Sequence, residues 1–535
     1  MKTLSRARGR APGTNDEWEL CRHMWEQVER DIKTGRAGPP VDVRELDLDS
    51  ILLVDSFGIW ECHGENGCWK TRTIRDFLAN FVNDYAWLPQ RMKYDGYDSL
   101  QHALTTIKQR LENVGKSLVE VSVGKADFKS AFKTLPPSDS QTWLCWALAF
   151  DPVSSCLKAV PLWSHVFGNI GSVAAWFRTV KAIQAILHVV FKLPILFYVD
   201  DGFWVGTEHR TISGLTITEW IGDLFARVAT LLLGWELDPQ KAAAGRQTVV
   251  LGLQITVREK CTFWRLAPTK RFNWIQDLRY VLKLGRLSPG LAAKFAGRFA
   301  FLNAHVFNRI GRALLRPIIW RQRHSCRGDL LTRRLRFALV WFLSLLEKGL
   351  SKEVQLVPQV KRPVVLLYSD AEQNGGVGGV AQLPDGELLY IHGRLPKQIC
   401  RLLHVRKTNI VAFELLAALV SMLAFGKAFC GRYRIMHFID STSALACLVR
   451  GYSSKTDLCL LAGRFWFEAC GLHLDCRLEY VNTRSNIADG PSRGDFSLMH
   501  SLGANEMSDW HWPSFDRDLS DWLRASYEAH RAVQH

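Results

Sequence analysis

The sequence predicts a multidomain protein of the α+β and α/β classes, and three observations predict it. The chain has 535 residues, too many for one core and enough for roughly three or four domains at about 150 residues each. Apolar runs of strand length, such as Ile195 to Val199 and Val364 to Tyr368, alternate with stretches of helical apolar spacing, such as Leu100, Leu104, Ile107 and Leu111. Several strand-like runs end in a carboxylate, which is where folds of these classes present an active-site acid.

Composition narrows the class. Hydrophobic content of 47% with 22% charged residues describes a globular chain rather than a disordered one. The longest uncharged apolar approach, Ala182 to Phe191, is too short for a bilayer span, so no membrane partner is expected. The first ten residues carry Lys2, Arg6, Arg8 and Arg10 with no apolar core behind them, which does not read as a secretory signal. Thirteen cysteines without a C-x-x-C pair fit a reducing compartment, and the expected location is intracellular, in the cytoplasm and/or nucleus. The net charge of +16 is concentrated: Thr262 to Leu350 holds 18 Lys and Arg against Asp277, Asp329 and Glu347. So dense a surplus repels itself unless a polyanion is the partner, which points to nucleic acid.

The elements follow in order. Residues 1 to 50 are polar, with a helix-like piece near Trp18 to Ile32. Lys70-Thr71-Arg72-Thr73-Ile74 alternates as an extended segment with Lys70 and Arg72 on one side, a cradle for a triphosphate or an amphipathic edge strand. Residues 98 to 114 read as a helix, and Leu118 to Ala126 as a strand that delivers Asp127. The run through Phe197-Tyr198-Val199 delivers Asp200-Asp201-Gly202, with Asp-Gly as the expected turn pair. Adjacent buried acids cannot both stay ionised unless a cation neutralises them, so either one holds a proton or a divalent metal sits there. Helices are expected over Ala292 to Leu315, as one or a pair, and over Arg327 to Leu350, with Ser351 to Pro363 as a linker.

Asp127 with Phe132 five residues on, then Phe167-Gly168-Asn169, Tyr198-Val199-Asp200-Asp201, Gly234-Trp235 with Lys241, and Leu251-Gly252-Leu253 resemble, in order and spacing, the palm motifs of reverse transcriptases. The Lys70 to Phe77 stretch is similar to their fingers motif. The resemblance implies that Asp127, Asp200 and Asp201 hold the catalytic metals and that Lys70 and Arg72 meet the triphosphate. It further implies that Phe132, beside Phe167 and Tyr198, is the steric gate against a ribose 2′-hydroxyl. Gly168 then admits the template-nucleotide pair, and Lys241 is the candidate general acid for pyrophosphate. The basic segment takes the place of a thumb, whose Lys294, Arg298, Arg309, Arg312 and Arg316 would track a duplex backbone.

A second set of acids comes from two strand ends, Asp370 and Asp440, from the Ile410 to Ala424 helix with Glu414, and from Asn486-Ile487-Ala488-Asp489 at a helix start. Any one alone is as well explained by a helix cap or an ion pair. Together, Asp370, Glu414, Asp440 and Asp489 resemble the acidic quartet of a ribonuclease H domain. The Asn486 to Arg493 ending and Phe295-Ala296-Gly297-Arg298 look most like the DIRS-type, tyrosine-recombinase retrotransposons. The implied organisation is an N-terminal extension (1–60), fingers and palm (61–260), a basic helical thumb or connection (261–350), a ribonuclease H-like mixed-sheet domain (362–495) and a tail (496–535). The implied fold is therefore a right-hand polymerase followed by a ribonuclease H. The implied cofactor is Mg²⁺, two per active site, with Mn²⁺ equally suited to hard oxygen ligands. The implied partners are an RNA template, a DNA or RNA primer, an RNA-DNA hybrid, deoxynucleoside triphosphates and further polyprotein domains. His473 does not stand where many cellular ribonucleases H carry a mobile histidine. A catalytically silent scaffold is disfavoured by the presence of all seven acids. An intron- or retron-type polymerase is disfavoured by the second acidic set.

Overall fold

The computed structural model describes residues 15–510 apart from 64–67, 89, 90, 308, 358–361, 402, 405, 430, 431 and 473. His473, Trp512 and Trp522 lie outside the described residues, as does the side chain of Lys70. The chain divides into two compact units, one running to Phe263 and taking in Val354–Val357, the other made of Trp264–Glu353 and the remaining chain.

The first unit starts with helix α1 (Asn15–Lys33) and a hairpin, β1 (Ser56–His63) with β2 (Cys68–Arg75). Helix α2 (Tyr97–Asn113), strand β3 (Val121–Asp127), helix α3 (Ile170–Val189), strands β4 (Ile195–Tyr198) and β5 (Asp201–Thr207), helix α4 (Ile217–Leu233) and strand β6 (Ala243–Gly245) follow. The strands form an antiparallel sheet in the order β6-β3-β5-β4. Its apolar face meets α3 and α4 through Ala126, Phe128, Phe132, Trp176, Phe197 and Phe225, and each large ring so buried is worth roughly 2–3 kcal/mol. Helix α4 is set by a capping box, in which Thr216 accepts from the Glu219 amide and Glu219 accepts from the Thr216 amide; Gly234 ends it in the left-handed region. The edge of β4 is closed by Asp95. Its amide donates to the Phe197 carbonyl at 3.0 Å, and its carboxylate accepts from the Phe197 amide at 3.1 Å and from Gln184 Nε2 at 2.7 Å.

The second unit opens with four helices, α5 (Pro268–Leu284), α6 (Pro289–His305), α7 (Arg312–Arg323) and α8 (Arg333–Lys348). The stretch expected to be one helix or a pair over 292–315 is a pair, interrupted at 306–311 where Val306, Phe307 and Ile310 turn into the core. The helix expected from Arg327 begins only at Arg333. Gly328 adopts φ +67°, and Thr332 caps the start by accepting from the Leu335 amide. The expected linker contains the strand Lys352–Gln355.

Beyond it come β7 (Val364–Ala371), β8 (Gly376–Gln382), β9 (Leu388–Arg394), α9 (Ile410–Phe429), β10 (Arg434–Ile439), α10 (Thr442–Arg450), α11 (Thr456–Gly471), β11 (Asp475–Tyr480), α12 (Asp489–Arg493) and β12 (Asn505–Glu506). They make a six-stranded mixed sheet, β11-β10-β7-β8-β9-β12, with β8 antiparallel to both neighbours and the other pairs parallel. Helix α9 is apolar on nearly every side because it is buried: Ala412 and Leu415 to Leu419 are fully covered. The tail returns to the sheet edge, where the Met507 amide donates to the Tyr390 carbonyl at 2.9 Å and Met507 and Trp510 pack against the core cluster that includes Val365, Ile391 and Phe425. The α+β and α/β class expected for the chain is the class observed, with an antiparallel sheet in one unit and a mixed sheet in the other.

Candidate active sites

Asp127 ends β3 and Asp201 opens β5, and the two are direct register partners across the sheet. Tyr198 pairs with Asp201, so the turn between β4 and β5 is Val199-Asp200 and not the expected Asp-Gly. Gly202 lies inside β5, where a Cβ in its place would come 3.1 and 3.2 Å from the Phe197 and Phe225 rings. Val199 takes φ +56°, a costly conformation for a β-branched residue, and the Trp176 indole N–H donates to its carbonyl at 2.8 Å to hold it. Burial, then the Asp200 and Asp127 charges, push the Asp201 carboxyl up to about 6. Burial and Asp127 likewise raise Asp200.

Lys241 Nζ donates to Asp127 Oδ2 and lies 3.9 Å from Asp238 Oδ2. Burial pulls the Lys241 ammonium down, but the Asp127 hydrogen bond and the charges of Asp127, Asp238 and Asp200 outweigh it and leave it raised.

Beside this trio, the buried Phe132 ring meets Phe167 edge-on at 4.8 Å, and the Arg72 guanidinium lies 5.1 Å from the Phe167 centroid. Gly168 has φ +104°, and a Cβ there would come within 2.1 Å of the Arg75 carbonyl. Tyr198 is exposed and tilted against Tyr94 at 5.6 Å. Sequence reasoning missed Asn83, whose Nδ2 donates to the Gly168 carbonyl at 2.7 Å and whose Oδ1 accepts from the Ile170 amide at 3.0 Å. It also missed the support from α1: Lys133, one residue past the Phe132 ring, pairs with Asp31 at 2.5 Å, and Gln27 accepts from Thr73 at 2.8 Å. The apolar spacing of Trp25, Val28 and Ile32 was the available signal for a docked helix.

The second acidic group lies on the mixed sheet. Asp370 sits near the end of β7, Asp440 just after β10, and Glu414 on α9; one ligand oxygen from each falls within 4.8 Å of the other two. Among the described residues this is the only such group, so the Asp127, Asp200 and Asp201 trio does not close to that distance. Ser492 donates to Asp370 Oδ2 and to the Asp489 carbonyl at 2.9 Å, linking the fourth acid to the first. Asn486 Nδ2 reaches Asp370 Oδ1 at 3.4 Å and the Ser369 carbonyl at 3.1 Å, while Arg493 pairs with Asp489 at 2.8 Å.

Helix α12 comes this close because β8 carries glycines. A Cβ on Gly376 would sit 2.0 Å from the Ser492 carbonyl oxygen, and one on Gly378 would sit 2.5 Å from that of Ala488. Burial first, then Asp370 and Asp440, push Glu414 up to about 9; burial raises Asp370 to about 6 against the pull of Ser492. Glu414 Oε2 is buried without a hydrogen-bond partner. Behind the site, burial holds His437 down at about 3, so its imidazole is neutral, and its Nε2 bonds Ser369 at 2.9 Å.

Among the solved structures it is similar to are those of foamy viral protease-reverse transcriptase. With the form of that protein called dRH, in complex with double-stranded DNA, the TM-score is 0.42 at 14% identity over 86% of this chain and 69% of that one. With the RNA/DNA hybrid complex it is 0.43 at 14% identity, over 88% of this chain and 55% of that one. With a further double-stranded DNA complex it is 0.41 at 14%, over 86% and 83%. No protein-family model and no curated protein matches the chain.

The basic segment has internal uses. Arg298 pairs with Asp277 at 2.7 Å and lies over the Trp274 ring at 5.0 Å. Arg309 stacks on Trp466 at 4.5 Å, Arg312 donates to the Arg450 carbonyl at 3.4 Å, and Arg316 donates to that of Ser453 at 2.9 Å. The buried Arg321 serves the carbonyls of Leu287, Asp329 and Leu330 at 2.7 to 2.9 Å. Lys294 stands exposed on α6.

Proposed function

We propose that the chain is an RNA-directed DNA polymerase joined to a ribonuclease H, encoded by a retrotransposon of the DIRS type. The observation that supports it best is that acids far apart in sequence come together in two places: Asp127 faces Asp201 across one sheet with Asp200 beside it, and Asp370, Glu414 and Asp440 converge at another, where Ser492 bonds both Asp370 and the Asp489 backbone. Acids raised by burial and mutual repulsion at such positions are what a hard divalent cation neutralises, and the orphaned Glu414 Oε2 is a ligand atom without another use. The convergent Asp370, Glu414 and Asp440 oxygens fit Mg²⁺ or Mn²⁺, while the trio on the first sheet has the donor chemistry but a wider spacing. Bound there, such ions would stabilise the attacking and leaving oxygens of an in-line phosphoryl displacement.

The chain's own residues supply the rest. Arg72 and Lys70 hold the triphosphate, and Phe132, braced by Phe167, fills the space a 2′-hydroxyl needs. Gly168 lets backbone approach the nascent pair, with Asn83 fixing that turn. Lys241 carries a proton suited to the departing pyrophosphate oxygen. At the second site Ser492 and Asn486 orient Asp370 for cleavage of the RNA strand of a hybrid. The natural partners are then an RNA template, a primer 3′-hydroxyl and deoxynucleoside triphosphates. The test is primer extension on RNA with Mg²⁺ beside Asp200→Asn and Asp440→Asn. Extension is lost only in the first variant and hybrid cleavage only in the second; equal activity in all three ends the proposal.

A further inference from the structure

The two acidic groups differ in how their charge is balanced. Asp370, Glu414 and Asp440 converge within 4.8 Å, and the cation beside them, Arg493, pairs with the fourth acid, Asp489, at 2.8 Å. The Asp127, Asp200 and Asp201 trio stays more open, and its innermost acid is already engaged: the Lys241 ammonium sits on Asp127 Oδ2. Asp127 is nearly covered while the Lys241 side chain is 57% exposed, so the cation reaches in from solvent. Its backbone is anchored independently, because the Lys241 amide donates to the Asp238 carbonyl at 3.1 Å and the Gln240 amide to Asp238 Oδ1 at 3.1 Å. The flexible four-carbon stem can therefore swing without moving the loop.

We infer that Lys241 is a displaceable counter-cation: in the substrate-free protein it holds the place on Asp127 that a divalent ion takes, and metal loading releases it. The inference rests on reading the trio as metal ligands. A lysine ammonium at this position opposes metal twice, by occupying a ligand oxygen and by like-charge repulsion at a few ångströms. A bound triphosphate offers the released ammonium another anion, so nucleotide and metal favour one another at this site. In the second unit the neighbouring cation, Arg493, sits on Asp489 and not on Asp370, Glu414 or Asp440.

The test is Mn²⁺ binding to the full chain without nucleic acid, read from the free-ion paramagnetic resonance signal. An Asp370→Asn, Asp440→Asn background silences the second group. Lys241→Met binds Mn²⁺ on the order of tenfold more tightly than the parent, and Lys241→Arg, which keeps the charge, stays near the parent. Adding Asp201→Asn abolishes the binding in each case. Binding by Lys241→Met that is equal to or weaker than the parent's overturns the inference while leaving the trio a metal site. Binding indifferent to Asp201→Asn removes the metal site and the inference with it. Lys241 lies on an exposed loop, and an unchanged thermal midpoint for its variants confirms that folding is intact.

Discussion

Replacing Glu414 by Gln separates the electrostatic cost of the second acidic group from its use. Glu414 is 4% exposed, faces Asp370 and Asp440, and is held at about 9 against an ordinary value of 4.5. In the folded, metal-free protein it therefore keeps its proton near pH 7, whereas the unfolded chain has lost it. The sign follows: a raised acid makes the native state bind more protons, so stability falls as pH rises from 4.5 toward about 9. At about 1.36 kcal/mol for each pH unit, the cost at pH 7 is roughly 3 kcal/mol as an upper value. Gln keeps the shape of the protonated carboxyl and has no proton to lose. With EDTA present, Glu414→Gln should thus be more stable than the parent near pH 7, with the gap closing near pH 5 and widening toward pH 8.5. At roughly 2–4 °C per kcal/mol for a unit of this size, the shift is measurable by thermal unfolding followed by circular dichroism. Saturating Mg²⁺ reverses the order, because only the parent retains the full ligand set and gains by mass action. A variant no more stable than the parent at pH 7 in EDTA, or a gap that does not grow with pH, would refute the reasoning.

Ser492→Ala removes the hydroxyl that orients Asp370 and should weaken Mg²⁺ binding at that group by about 10- to 100-fold in calorimetry, with little change in the metal-free melting point. Gly168→Ala drives a Cβ toward the Arg75 carbonyl at a positive φ, and should cost the first unit about 1–3 kcal/mol in denaturant unfolding. Arg309→Ala with Arg316→Ala breaks the stacking on Trp466 and the bond to Ser453, so it should lower the melting point of the second unit. Lys294→Ala should instead leave the melting point alone and reduce the salt slope of duplex binding by about 1.

Much of the candidate site was legible because acids at strand ends interrupt an apolar run, and an interruption is visible one residue at a time. Asp127, Asp200, Asp370 and Asp440 were found this way. The turn between β4 and β5 was not, because Asp-Gly is a turn signal by itself whereas Gly202 here stands inside β5 close to the Phe197 and Phe225 rings, and no local pattern carries a contact made by another helix. Asn83, Asp95 and the Lys133 to Asp31 pair escaped for the same reason: each is one polar residue whose partner lies on a distant segment, and a single residue has no period.

The basic segment shows a different blindness. Counting Lys and Arg against Asp and Glu treats carboxylates as the only internal acceptors, and on that count the surplus has to face a polyanion. Carbonyl oxygens at helix ends and loops also carry partial negative charge, and every residue type presents one. Arg271 serves the carbonyls of Leu346 and Glu347, Arg312 that of Arg450, Arg316 that of Ser453, and Arg321 three more. A cation spent on such oxygens stiffens the unit and is less available to a phosphate. The nucleic-acid surface proposed for this segment is therefore to be sought among the cations left exposed, with Lys294 first among the five residues picked out from the sequence.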